Sequence, residues 1–413
     1  MDILHAIAGV VVLVALSWGI SEDRRGVHWR LVASGIALMV ALSALLLLVG
    51  PLRNLVFAAN DALNALQDAT RAGTSFVFGY LGGGAPPFAT TDPRNSFVIA
   101  FGALPLVIVV SAVSALLFHW RILPMVVKAF AWVLERTMGL GGAVGLSAAA
   151  NVFVGMVEAP LVIKPYLRKL SRSELFMVMV CGMATIAGTV MALYGAILSP
   201  VVPDAIGHIL IASIVATPAA LVVSALMVPG PMTHEESVDI GRQDASAMDA
   251  ITRGTVEGLE LVLQIAAMLV VFIALVYLTN ALLGLLPAVG GAPLTLQRIL
   301  GWLFAPVAWT TGVSWEESRA AGALLGTKTV LNEFIAYLDL AKLPADALSP
   351  RGKLLMTYAL CGFANFGSLG ILIGGMGAMV PERRGEIVEL GMKSIVAGTI
   401  ATCMTAAVAG FFV

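Results

Sequence analysis

Two carboxylates stand in surroundings that disfavour charge. Glu158 lies in the run Gly155-Met156-Val157-Glu158-Ala159-Pro160 and Glu333 in Asn332-Glu333-Phe334, each inside a long stretch of small and apolar residues. A charged side chain at the centre of a bilayer is disfavoured by about 2.5–3.5 kcal/mol on insertion scales, so such a residue faces a cavity, has a partner, and marks a path for solute or ion. Glu158 has only apolar neighbours in the chain. Lys328, one and a half helical turns before Glu333, offers that carboxylate a purely structural partner as the alternative to a ligand-binding role.

Each carboxylate is followed by a second motif. Cys181-Gly182-Met183-Ala184-Thr185-Ile186-Ala187-Gly188 comes 23 residues after Glu158, counting to Cys181, and Cys361-Gly362-Phe363-Ala364-Asn365-Phe366-Gly367-Ser368 comes 28 after Glu333, counting to Cys361. Glycine permits a helix to unwind, and short polar side chains then accompany free backbone carbonyls that can hold a cation. The same residue types also serve close helix packing. Two matched copies, each behind an acidic segment, favour unwinding and an internal repeat.

The elements that must position these groups follow from composition. The chain of 413 residues is 59% hydrophobic and 12% charged, against roughly 25% charged in soluble domains, so its solvent is the lipid bilayer. Net charge is −1 and no basic run appears, so no nucleic-acid partner is expected. Cys181, Cys361 and Cys403 sit in apolar segments as packing residues, and His5, His28, His119, His208 and His234 form no ligand cluster. With neither a GxSxG nor an HExxH string, an enzyme is not expected.

A span needs about 20 apolar residues. Segments 3–20, 31–51, 97–118, 175–198, 209–228, 259–286, 354–379 and 395–413 qualify, which predicts an all-α polytopic membrane protein of about eight transmembrane helices. The first run lacks a basic n-region and a cleavage site, so it reads as a span that stays. Lys and Arg concentrate in cytoplasmic loops; Arg24, Arg25, Arg121, Lys128, Arg168, Lys169, Arg242, Arg253, Arg383 and Arg384 place both termini outside the cytoplasm. Arg298, Arg319, Lys342, Arg351 and Lys353 fall on the opposite side, in a long loop where the bias has less weight. Amphipathic stretches from Leu52 to Asp68 and from Ile122 to Arg136 read as interfacial helices.

Segments 137–165 and 300–340, rich in Gly and Ala and too interrupted to span, read as two re-entrant hairpins. By the orientation above, one enters from each side, giving an inverted repeat with the site near the midplane where the halves meet. The expected organisation is a scaffold over 1–136, the first half of a transport domain over 137–258, a scaffold span at a subunit interface over 259–290, and the second half of the transport domain over 291–413.

Three strings resemble the concentrative nucleoside transporter family: Gly155-Met156-Val157-Glu158-Ala159-Pro160, Gly326-Thr327-Lys328 through Asn332-Glu333-Phe334, and Cys361 through Phe366. The match runs from about residue 95 onward, with the first two spans agreeing in hydropathy only. The resemblance implies a homotrimeric, multi-pass protein of the plasma membrane, the inner membrane of a bacterium, with a mobile elevator-like transport domain. It implies symport of nucleosides with Na+, or with H+ as the alternative. It assigns the ribose hydroxyls to Glu333, Asn365 and Ser368, the nucleobase to Glu158 with Gly155, Met156 and Val157 beside it, and the apolar wall to Val190 and Phe363. Sodium falls to Asn151, Val154, Thr185 and Ile186. Many members carry Gln and Thr or Ser where this chain has Met156 and Val157, so base selectivity is expected to differ. A relative carrying a modified nucleoside or another ribose-like solute is the nearest competing reading, and a channel the next.

Overall fold

The computed structural model describes residues 2–89, 98–232 and 244–413; His234 and Arg242 lie outside them. The described residues fold almost entirely into helices, with one isolated bridge pairing Val289 and Ala292. This follows from burial of the backbone in lipid, where a helix satisfies its own amide groups.

The first two spans are α1 (Asp2–Gly19) and α2 (Trp29–Leu48), and α3 (Gly50–Phe78) is the amphipathic helix, longer at its carboxyl end than the sequence pattern reached. The third span is α4 (Ile99–Gly102) with α5 (Pro105–His119), and α6 (Ile122–Met138) is the second amphipathic helix. Hairpin 1 is α7 (Gly142–Ala150) and α8 (Glu158–Val162), within the predicted 137–165. The fourth span is broken, as α9 (Arg172–Ala184) and α10 (Gly188–Leu198), and α11 (Ala205–Met227) is the fifth.

The sixth span, α12 (Ala247–Leu283), has 37 residues and starts twelve residues before the predicted 259. Its first turns carry Asp249, Arg253 and Glu257, which hydropathy does not score as membrane. At about 1.5 Å per residue it is some 55 Å long, well beyond a hydrocarbon core of about 30 Å.

The segment 300–340 is not one hairpin. It is α13 (Leu296–Trp309), packed on α14 (Ser318–Val330), followed by α15 (Glu333–Lys342), with the hairpin proper made by α14 and α15. The seventh span is broken into α16 (Pro350–Leu360) and α17 (Phe366–Met379), and α18 (Arg384–Ala409) starts eleven residues before the predicted 395. Six stretches among the described residues are long and apolar enough to cross a membrane, with α1 and α17 shorter; α17 continues the broken span begun by α16, giving eight.

Packing divides these elements. The windows covering α9–α10 and α11 are 89% buried, that of α12 only 11%. The central helix α11 packs on α2, α9 and α18, and α1 packs on α18 and α11, whereas α5 packs on α12. Thus α1 and α2 pack on α11 and α18, while α5 packs on α12 and also on α10 of the first broken span.

Candidate functional site

The two broken spans meet. The amide of Phe363 donates to the Thr185 carbonyl at 3.3 Å, and the amide of Gly188 donates to the Phe153 carbonyl in the tip of hairpin 1 at 3.2 Å. Close approach is possible because Gly362 lacks a side chain: a Cβ there would lie 2.8 Å from Thr402 Cγ2 and 2.9 Å from the carbonyl oxygens of Met183 and Ala184.

Although the two strings align, their breaks are not equivalent. The first helix runs through Ala184, and Thr185 turns its hydroxyl back to donate to the Cys181 carbonyl at 2.8 Å. The second stops at Leu360, and Asn365, the partner of Thr185 in the repeat, is the N-cap of α17, its Oδ1 accepting from the Ser368 amide at 2.7 Å. Asparagine is a strong N-cap. At the tip of hairpin 2, Asn332 caps α15 in the same way, accepting from the Ile335 amide at 2.9 Å, which places Glu333 in the first turn of that helix, at its electropositive end.

Glu333 is 5% exposed and both carboxylate oxygens have donors. Tyr194 Oη donates to Oε1 at 2.6 Å and Asn365 Nδ2 donates to Oε2 at 2.9 Å. The ammonium of Lys328 donates elsewhere, to the Ala359 carbonyl at 2.9 Å and to Thr402 Oγ1 at 2.8 Å. The alternative of a Lys328–Glu333 hydrogen-bonded pair therefore does not describe the site.

A cavity of about 500 Å³ is lined by all nine residues the resemblance assigned to solute: Gly155, Met156, Val157, Glu158, Val190, Glu333, Phe363, Asn365 and Ser368. That volume suits a small organic solute. Met156 rests on Gly182 and Val157 on Gly375 of α17, so both of the apolar replacements are seated against glycines. Glu158 is exposed to the cavity and its carboxylate folds back over Gly155.

Sequence reasoning missed Tyr194, which lines the same cavity; it stands four residues after Val190, on the same face of α10, and that spacing was the available signal. It also missed the α12 wall, where Glu257, Glu260, Gln264, Met268 and Phe272 face the cavity.

Of the four residues assigned to sodium, Asn151, Thr185 and Ile186 are buried. Asn151 and Thr185 adjoin, the Asn151 carbonyl oxygen lying 3.3 Å from Thr185 Oγ1 as the more distant of two acceptors that share its one hydrogen. Asn151 Nδ2 donates to the Ser147 carbonyl at 3.1 Å, while Asn151 Oδ1 is buried with no donor. A buried acceptor without a donor is unfavourable, and a cation would satisfy it. Val154 lines the cavity, so the residues expected to hold the cation adjoin those expected to hold the solute.

Comparisons with known proteins cover the chain. Residues 8–81 match the family described as Na+ dependent nucleoside transporter N-terminus, 100–201 match Nucleoside recognition, and 208–410 match Na+ dependent nucleoside transporter C-terminus. Nucleoside permease NupC of Helicobacter pylori is 35% identical over 99% of this chain and 98% of its own. Sodium/nucleoside cotransporter 1 of Homo sapiens is 34% identical over 98% of this chain and 63% of that longer protein. The solved structure of CNTnw in an inward-facing substrate-bound state superposes with a TM-score of 0.91 at 36% identity, covering 100% of this chain and 98% of that one. A doubly substituted CNTnw in an outward-facing state gives 0.92 at 35%, covering 100% of this chain and 98% of that one.

Proposed function

This chain belongs to the Na+-dependent nucleoside transporter family, a family of multi-pass transporters rather than enzymes, and from that premise we propose that it imports nucleosides by symport with Na+. The observation that carries this reading is the Tyr194–Glu333–Asn365 group, with Ser368 beside it, in the wall of the 500 Å³ cavity. A vicinal diol donates two hydrogen bonds to one carboxylate, and bonds to a charged acceptor are the stronger ones. Glu333 supplies that acceptor, and Asn365 and Ser368 complete the ribose position. Glu158, Gly155, Met156 and Val157 face the base, with Val190 and Phe363 as apolar walls.

Sodium is assigned to Asn151 Oδ1 and Thr185 Oγ1 with the carbonyls of Val154 and Ile186, a set of hard oxygens that suits a small cation. The unpaired Asn151 oxygen supports an ion at this place, and an ion supports sodium over a proton, since neither Asn151 nor Thr185 titrates near neutral pH.

Alternating access is read as an elevator. The helices α5 and α12, which pack on each other, form the stationary part; the hairpins and the broken spans, with α1, α2, α11 and α18, form the part that moves. This takes α1 and α2 out of a scaffold spanning 1–136. The broad apolar exposure of α12, including Leu263, Val270, Val271, Ile273 and Leu278, suits contact with lipid and with other copies in a homotrimer.

The test is uptake of radiolabelled uridine and adenosine into proteoliposomes under an inward sodium gradient, and separately under a pH gradient. Accumulation above equilibrium driven by sodium is expected. Accumulation driven only by protons would overturn the ion, and transport of neither nucleoside would overturn the solute. A second reading, a modified nucleoside or other ribose-like solute, is favoured by one observation: Met156 and Val157 line the cavity with apolar atoms, at positions where the family resemblance leads one to expect hydrogen-bonding groups. Joint Met156→Gln and Val157→Thr substitution should then change the ranking in a competition panel of nucleosides and free sugars, and an unchanged ranking would remove these residues from base reading.

A further inference from the structure

Lys328 is fully buried, on the first arm of hairpin 2, and the solute site does not use it. In an unbroken helix the Ala359 carbonyl would accept from the amide of Phe363, four residues on. That amide donates instead to the Thr185 carbonyl of the other half. The Ala359 carbonyl is thus released by the break, and the Lys328 ammonium takes it at 2.9 Å while also donating to Thr402 Oγ1 at 2.8 Å.

The carboxyl end of a half-helix carries free carbonyls and the negative end of its dipole, and both favour a cation. The repeat supplies two such ends, those of α9 and α16. At the end of α9 the hairpin contributes Asn151, a neutral side chain with a buried acceptor that lacks a donor. At the end of α16 the hairpin contributes an ammonium.

We propose that Lys328 is a tethered cation that does, at the carboxyl end of α16 in the second half of the inverted repeat, what the sodium proposed above does at the carboxyl end of α9 in the first. The comparison with sodium rests on the reading above; the tethered cation is tested without it. Its removal should open a site for a free cation of matching chemistry.

The experiment is thermal unfolding of the detergent-purified full chain, wild type and Lys328→Ala, first in sodium-free buffer with methylammonium and then in a sodium titration. Lys328→Ala is expected to unfold several degrees below wild type and to be restored by methylammonium but not by methanol, while wild type ignores both. Wild type is expected to titrate with sodium as a single site and Lys328→Ala as two. A folded Lys328→Ala that ignores methylammonium and still titrates as one site would overturn the proposal. Should Lys328→Ala fail to fold, Lys328→Met decides, since it keeps the volume without the charge: a wild-type unfolding temperature together with wild-type sodium-dependent uptake would overturn the tethered cation, and loss of both supports it. Wild type that ignores sodium altogether would overturn the symport reading instead, with the methylammonium response still deciding Lys328.

Discussion

Exchanging Glu333 for glutamine removes one charge and almost no volume. The neighbours can both be kept: Asn365 Nδ2, now 2.9 Å from a carboxylate oxygen, would donate to the amide oxygen, and Tyr194, now donating at 2.6 Å, would rotate its hydroxyl to accept from the amide nitrogen. The fold is therefore expected to survive with an unfolding temperature close to wild type. Binding is not. A hydrogen bond to a charged group contributes about 1.5–3 kcal/mol and a neutral one about 0.5–1.5, so two ribose hydroxyls lose about 2–3 kcal/mol between them. At about 1.4 kcal/mol per tenfold, the affinity for uridine should fall roughly 30- to 150-fold at saturating sodium. Calorimetric titration of the purified protein measures this directly. A second arm isolates the diol: 2′-deoxyuridine gives up one of the two bonds, so its penalty relative to uridine should shrink in Glu333→Gln. A glutamine variant that binds uridine within about threefold of wild type, or a deoxy penalty that does not change, would refute the assignment of Glu333 to the ribose.

Asn151→Leu keeps the branched shape of the side chain and removes the unpaired acceptor; sodium at ten times its dissociation constant, which should stabilise wild type by about 1.4 kcal/mol, is expected to leave this variant's unfolding temperature unmoved, and a retained sodium shift would exclude Asn151 from the ion site. Gly362→Ala places a methyl group 2.8 Å from Thr402 Cγ2 and 2.9 Å from two carbonyl oxygens, so overpacking of about 1–3 kcal/mol should lower the unfolding temperature, and wild-type stability would mean that the two broken spans cross less closely. Outside the spans, Glu22 in the α1–α2 loop meets Arg172 at 3.0 Å and also Lys393 of α18. The hydrogen bond from Arg172 holds its carboxyl below the ordinary range. A carboxyl depressed on folding stabilises above its unfolded value and stops doing so as pH falls through its folded value. Glu22→Gln should therefore lose about 0.5–1 kcal/mol at pH 7 and converge with wild type in strongly acidic buffer, and a difference that persists there would refute the ionic origin.

Hydropathy found the spans because lipid imposes one requirement on every residue that faces it, and it failed where that requirement ends. The polar first turns of α12 and α18 lie outside the segments that read as membrane, so both helices were entered late. In 300–340, α13 and hairpin 2 share the same Gly- and Ala-rich texture, and nothing in composition separates a helix that packs on a hairpin from an arm of it. The residues proposed for the solute were legible for a different reason. Glu158, Glu333, Asn365 and Ser368 are polar in an apolar setting, and each one raises the question of its partner. Tyr194 raises no such question, because a tyrosine within a span also reads as packing, and only the position of Glu333 in three dimensions gives its hydroxyl a role.

The repeat was legible as a pattern and misleading as a geometry. Cys-Gly-x-Ala recurs, yet the first helix continues to Ala184 whereas the second ends at Leu360, and the residue four positions after each cysteine plays a different part. A threonine at Thr185 returns its hydroxyl to a carbonyl of the helix it ends, and an asparagine at Asn365 caps the helix that follows. In the second half the break lies upstream by a turn, and the Ala359 carbonyl accepts from Lys328 rather than from an amide of its own helix. Hairpin 2 supplies that donor, and hairpin 1, with Phe153 at the corresponding distance from Glu158, has no charge to offer. On the proposal above, the two halves differ in whether the cation at the half-helix end is built into the hairpin or brought in from solution.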